Sequence, residues 1–230
     1  MDAIKTVNLT KKYGELLAVD NLNLTVRQGE LFSLLGVNGA GKTTAIKILS
    51  GLTQPTSGDA FVEGVIGVSP QETAVAPNLS VKENLALMCG IYGFSKEKAK
   101  ASIHALSNQF NLQDILSKKA GKLSGGWQRK VSIAMALIGE PAVVFLDEPT
   151  LGLDVIARRE LWDVIADLKG KVTIILTTHY MQEAEALSDR IGIMKSGRLL
   201  VTGKAKELVE QAAADRFEDA FISIVQEAGK

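Results

Sequence analysis

The chain has 230 residues, 46% hydrophobic and 23% charged, with 26 basic and 26 acidic side chains and a formal net charge of zero. That composition excludes a disordered or collagen-like chain, and the charge balance argues against nucleic-acid binding by bulk charge. The single Cys89 excludes an internal disulfide framework and fits a reducing compartment. No apolar run approaches the ~18 residues of a membrane span, since Val131 to Phe145 is broken by Glu140 and Pro141. The N-terminus has no apolar signal-peptide stretch, so the expectation is a soluble intracellular chain.

In chain order, Ile4 to Leu9 and Leu16 to Leu24 read as strands, with Gly14 and Asp20–Asn21 as turn signals. Leu31 to Leu35 is a short apolar run of the kind covered on both faces. A Gly-rich stretch follows, and Lys42 to Leu49 opens a helix. Ser80 and Glu83 form a capping box ahead of a helix through Tyr92. Lys96 to Phe110 and Ser124 to Gly139 are further helical patterns, and residues 72 to 140 read as a helical insertion into an α/β core. Val143 to Leu146 and Val172 to Leu176 are two more buried-strand runs. Leu161, Ile165 and Leu168 lie between them at helical spacing, so a right-handed crossover in a mostly parallel sheet is expected. From Arg216, the side chains Phe217, Phe221, Ile224 and Val225 share one helical face and predict a packing helix.

Gly36-Val-Asn-Gly-Ala-Gly-Lys42-Thr43 matches G-x-x-x-x-G-K-[ST] in full, between a buried strand and a helix. A polyphosphate must be wrapped by backbone N–H groups, which side chains at Gly36, Gly39 and Gly41 would obstruct. The helix start turns its positive end toward the phosphates. Lys42 would neutralise the β- and γ-phosphates and the Thr43 hydroxyl would ligate Mg²⁺. Asp147, ending the run Val143 to Leu146, is placed to hold the magnesium shell. Neighbouring side chains on a strand point to opposite faces, so Glu148 takes a different role; it sits where the strand stops and can turn toward the phosphate site, there to orient and activate a water. Ser124 is read as the cap of a second helix, with Gly125 and Gly126 leaving its first amides open to an anion. A single-site ATPase has no use for a second phosphate grip, whereas two copies facing head-to-tail do. For the same reason a monomeric phosphate-loop kinase is disfavoured.

These motifs, in this order, resemble the nucleotide-binding subunit of ATP-binding cassette (ABC) transporters over essentially the whole chain. The resemblance implies a P-loop NTPase (RecA-like) α/β core over 1–71 and 141–230, with a small antiparallel β-subdomain and an inserted helical signature subdomain over 72–140. It implies that Tyr13 stacks on adenine and that Gly36 to Thr44, including Asn38, Ala40 and Thr44, is the Walker A loop. Gln71 corresponds to the glutamine that contacts magnesium and water and leads toward a membrane partner. Leu123 to Gln128 resembles the signature motif, with Trp127 where the family varies. Asp147 and Glu148 resemble the Walker B aspartate and catalytic glutamate, Leu151 to Asp154 the D-loop, and His179 the switch histidine at the γ-phosphate. His179 also follows an apolar strand, as Asp147 ends one, and ligand sites on such sheets gather at strand carboxyl ends. His104 lacks such a context and reads as a helix-surface residue.

The cofactors implied are ATP and Mg²⁺, and the expected partners are a second copy or paralogous ATP-binding subunit and an integral membrane permease, with no nucleic acid. The expected location is the cytoplasmic face of the membrane, held there through the permease. Residues flanking His179 most resemble bacterial drug, antibiotic, lipid or sodium export cassettes. A cassette ATPase acting on ribosomes or DNA, and a regulatory subunit that holds ATP without cleaving it, are the alternatives. One departure stands out: Ser57 to Gln71 is shorter than in relatives, with Glu63-Gly64 running straight into Val65-Ile66. Either this is a real deletion or residues are missing from the stretch, and the well-matched halves on each side favour the second.

Overall fold

The computed structural model describes residues 1–228. The chain forms two compact units: Met1–Glu63 with Lys169–Lys230, and Gly64–Leu168.

In the first unit, β1 (Asp2–Tyr13) and β2 (Leu16–Leu22) form an antiparallel hairpin turned at Gly14. β1 also pairs antiparallel with β3 (Thr25–Arg27) and β5 (Ser57–Val62). The Asp20–Asn21 signal is not a turn. The strand continues through it as a bulge, where the β1–β2 register shifts and Asn21 adopts φ +52°, a conformation asparagine tolerates. A second set of strands is parallel at its centre. β4 (Leu31–Leu35) lies between β8 (Thr173–Thr178) and β9 (Arg190–Lys195), and β10 (Arg198–Gly203) runs antiparallel on β9. Every residue of β4 and β8 is buried, which is why apolar residues sit side by side in them, as at Leu34–Leu35 and Ile174–Leu176, rather than alternating with exposed ones.

Four helices complete this unit: α1 (Lys42–Leu49), α6 (Met181–Leu187), α7 (Ala205–Gln211) and α8 (Phe217–Glu227). The tail is a packing helix. Phe217 and Phe221 of α8 are buried with Leu35, Ala184, Ile191, Ile193 and Leu208, and Ile224 and Val225 cover the edge of that cluster.

In the second unit, β6 (Ile66–Ser69) pairs in parallel with β7 (Val143–Asp147). The helices are α2 (Val81–Ile91), α3 (Lys96–Gln109), α4 (Gly125–Leu137) and α5 (Val155–Ala166). The capping box at α2 forms in full: the Glu83 amide donates to Ser80 Oγ at 3.2 Å, and the Ser80 amide donates to Glu83 Oε2 at 2.7 Å. His104 is exposed on α3. α4 comes so close to β6 that a Cβ at Gly67 would lie 2.1 Å from the Ala136 carbonyl oxygen. Only glycine permits that approach. Ser69 and Ser132 share a buried hydrogen bond at 2.9 Å across the same contact, and a Lys130–Glu160 ion pair at 2.7 Å joins α4 to α5. β5 ends at Val62 and β6 begins at Ile66, so no further strand or irregular segment intervenes.

Candidate functional site

The phosphate loop leaves the carboxyl end of β4. Leu35 is in register with Thr178 at the end of β8, and the Gly36 amide donates to the Thr178 carbonyl at 3.2 Å. The loop and His179 therefore emerge from neighbouring parallel strands at the same end, where such sheets bind ligands. His179 is half-buried and its ring packs against Tyr180 with centroids 4.1 Å apart.

Only part of the glycine requirement is about the ligand. Gly41 caps α1 at φ +101°, and a Cβ there would lie 2.3 Å from the Ala18 carbonyl oxygen. A Cβ at Gly36 would lie 2.5 Å from the Met194 carbonyl oxygen. Both are glycine because the loop is pressed against its own unit, whereas Gly39 is exposed and a Cβ there would meet open space. The carbonyl of Ala40 accepts from the Gly197 amide at 2.9 Å, which ties the loop to the β9–β10 turn. Lys42 is buried, and its Nζ donates to the carbonyls of Gly36 at 2.7 Å and Val37 at 3.2 Å. Its charge is thereby held inside the curl of the loop. Thr43 and Thr44 are half-buried in the first turn of α1, and Asn38 is exposed. Tyr13, at the end of β1, is also exposed, with Lys11 Nζ 5.1 Å from its ring centroid.

The second unit carries the acidic pair and the second helix start. Asp147 ends β7 and is buried. Glu148 is buried too, but it leaves the strand altogether, with φ +49°. Strand alternation does not separate the two carboxylates, because the chain turns left-handed at the second one. Such a conformation in a non-glycine residue is sustained where the surroundings over-determine it, and it clusters at functional sites. Two short turns follow, the Leu151 amide donating to the Glu148 carbonyl and the Leu153 amide to that of Thr150. They deliver Asp154, whose carboxylate accepts from the Ala157 amide at 2.9 Å and caps α5.

Ser124 occupies the position before α4 with extended φ and ψ, but its hydroxyl makes no cap hydrogen bond. This corrects the expectation of a self-capped helix. The helix start is exposed at Ser124 and Gly125; Gly126 lies 3.1 Å, measured from an ideal Cβ, from the Ala157 Cβ, and Gly125 lies 3.8 Å from Leu153. α4 therefore begins on the turn that Asp154 caps. Beside it Val155 and Ile156 stand 79% and 74% exposed. Trp127 is half-buried, with Lys130 Nζ 4.6 Å from its ring.

Gln71 is exposed in the bend after β6. Its backbone is held by a residue that sequence reading passed over. Arg129 donates from Nη1 to the Pro70 carbonyl at 2.7 Å and from Nη2 to the Gln71 carbonyl at 2.6 Å. The available signal was its setting: Arg129 opens the stretch through Ala136 that is buried at every position, where a cation needs a reason.

The model of the ABC transporter family matches residues 19–151, more than half of the chain. The chain is 38% identical to the probable multidrug ABC transporter ATP-binding protein YbhF of Escherichia coli, over 99% of this chain and 42% of that protein. It is 39% identical to the Nod factor export ATP-binding protein I of Burkholderia orbicola, over 88% of this chain and 71% of that one. The chain thus spans less than half the length of YbhF. Among solved structures, an ATP-binding subunit of an ABC transporter superposes with a TM-score of 0.85 at 27% identity, over 96% of this chain and 99% of that one. A dimeric post-hydrolysis state of the cassette MJ0796 bound to ADP and Pi gives 0.78 at 28% identity, over 87% and 98%. No helix among the described residues is long and apolar enough to cross a membrane. With its matching family model, its relatives and its P-loop NTPase fold, this chain belongs to the ABC transporter family, as an ATP-binding cassette of the ABC ATPase type.

Proposed function

We propose that the chain hydrolyses ATP as one of a pair of cassettes, each nucleotide lying between the Gly36–Thr44 loop of one copy and Ser124–Gly126 of the other. The observation that carries this reading is the start of α4. It is a helix N-terminus with no side-chain cap, exposed, and bordered by the exposed apolar side chains Val155 and Ile156. Uncapped amides attract an anion, and exposed apolar neighbours gain by being covered. Facing copies would satisfy both, and the dimeric state of MJ0796 supports the arrangement.

Thr43, Asp147 and Gln71 present a hydroxyl, a carboxylate and an amide. All are hard oxygen donors that suit Mg²⁺ with phosphate and water completing the shell. When bound, the ion neutralises charge on the transferring phosphoryl group. In this reading Lys42 and the loop amides grip the phosphates, Tyr13 stacks on the base, and Asp154 contributes to the facing site. Glu148 orients the attacking water and His179 contacts the γ-phosphate. Pairing excludes bulk water, and cleavage leaves ADP and phosphate, whose repulsion opens the pair.

Residues 72–92 are the proposed link from Gln71 to an integral membrane permease. The apolar Leu87 and Ile91, exposed on α2, support a docking role. The relatives, one a probable multidrug and one a Nod factor export ATP-binding protein, support an exporter working at the cytoplasmic face of the membrane. Phosphate release from MgATP, measured alone, with the co-expressed membrane protein in vesicles, and with ribosomes or DNA, tests the reading. Turnover stimulated by the membrane protein is expected. Stimulation by ribosomes or nucleic acid alone, or ATP binding with no release, would overturn it.

A further inference from the structure

Arg129 is more than nine-tenths buried, on the fifth residue of α4. Burial pushes its guanidinium below the usual arginine range, and the negative charge of Asp147 opposes that fall. Nε has no hydrogen-bond partner among the described residues. The two hydrogen bonds that hold the group both go to the carbonyls of Pro70 and Gln71. An apolar side chain of similar volume would fill the same space without the desolvation cost. What the cation adds is a fixed position for a segment that lacks regular structure, since β6 ends at Ser69 and α2 begins at Val81. The neighbouring Gln128 reinforces the hold, its Oε1 accepting from Thr73 Oγ1 at 3.4 Å. The helix that carries Ser124–Gly126 at its tip therefore grips the glutamine loop one turn further along, about 6 Å at ~1.5 Å per residue.

We propose that Arg129 is a positioning residue that couples the tip of α4 to Gln71, so that engagement of Ser124–Gly126 with the facing copy's nucleotide sets the glutamine for hydrolysis. The inference rests on the reading of Gln71 and of paired copies given above. A planar guanidinium reaches two consecutive carbonyls at once, and an ammonium at the same place does not. Arg129→Lys thus loosens the coupling while keeping the charge, whereas Arg129→Ala would leave two carbonyls without a donor and risks the fold.

The test is steady-state phosphate release and thermal unfolding of the full chain as Arg129→Lys, Gln71→Ala and the double variant. The expected result is a kcat lowered by about tenfold in Arg129→Lys, the scale of a coupling between groups in contact. KM for ATP should stay within about twofold, because the phosphate loop is untouched. The double variant should turn over no more slowly than Gln71→Ala alone. A lowered Tm with unchanged kcat would assign Arg129 a merely structural role and overturn the proposal. Losses that multiply in the double variant would contradict the route through Gln71 while leaving the role of Gln71 intact. Gln71→Ala at normal turnover would contradict the role of Gln71 itself and the proposal with it.

Discussion

The two helix starts that the proposed pairing brings to one nucleotide are built in opposite ways. At α1 the grip is closed. Gly41 is pressed against Ala18, Gly36 against Met194, and the Lys42 ammonium is buried on two carbonyls of its own loop. At α4 the grip is open: the Ser124 hydroxyl caps nothing, Gly125 meets only ordinary contact with Leu153, and the flanking Val155 and Ile156 are solvent-exposed. A closed cradle holds a phosphate with what one chain supplies. An open one has the donors and lacks the walls, and in the proposed pair those walls come from the nucleotide-loaded face of another copy.

The largest effect separates gripping from cleavage. Glu148→Gln leaves both helix starts in place and removes the proposed general base, so phosphate release should fall by about 10²–10⁴-fold with ATP binding retained; turnover near normal would contradict the role of Glu148. Next, Lys42→Ala strikes the closed grip. Losing charge-assisted bonds of roughly 1.5–3 kcal/mol should weaken ATP binding by about 10- to 100-fold, measurable by calorimetry.

Gly125→Asp strikes the open grip and sharpens the contrast most. A carboxylate in the first turn of α4 favours the helix dipole, so Tm should hold or rise slightly, and the chain's own phosphate loop should still bind ATP. Nucleotide-dependent pairing should nevertheless be lost; pairing that survives would show that α4 is not the gripping edge. Smallest is Ser80→Ala, away from both grips, which should cost about 1 kcal/mol with unchanged turnover. Hydrogen bonds from Ser80 hold the Glu83 carboxyl below its usual range. The contribution of that group is therefore complete at neutral pH and fades as pH falls through its lowered folded-state value. The acid-side loss of stability should be shallower in Ser80→Ala, as read from urea midpoints at successive pH values.

What the sequence disclosed was whatever one stretch of chain decides for itself. The phosphate loop, the capping box at Ser80, the buried runs of β4, β7 and β8, and the apolar face of α8 depend on neighbours within a few residues. What it hid depends on distant backbone. The acceptors of Arg129 lie 58 and 59 residues away and are carbonyls, which carry no residue identity. The reasons for Gly36 and Gly41 lie at Met194 and Ala18, again in backbone atoms. The left-handed turn at Glu148 and the bulge at Asn21 are conformations that a strand pattern conceals. Ser124 had the right residue type for a cap and the right place for one, but its hydroxyl makes no cap hydrogen bond, a matter of local geometry that residue type does not carry.

Sedimentation of the Glu148→Gln variant with and without MgATP addresses the central claim most directly. The account predicts a species of twice the 24.6 kDa chain mass with nucleotide and a single chain without it. A single chain under both conditions, with ATP bound, would contradict it.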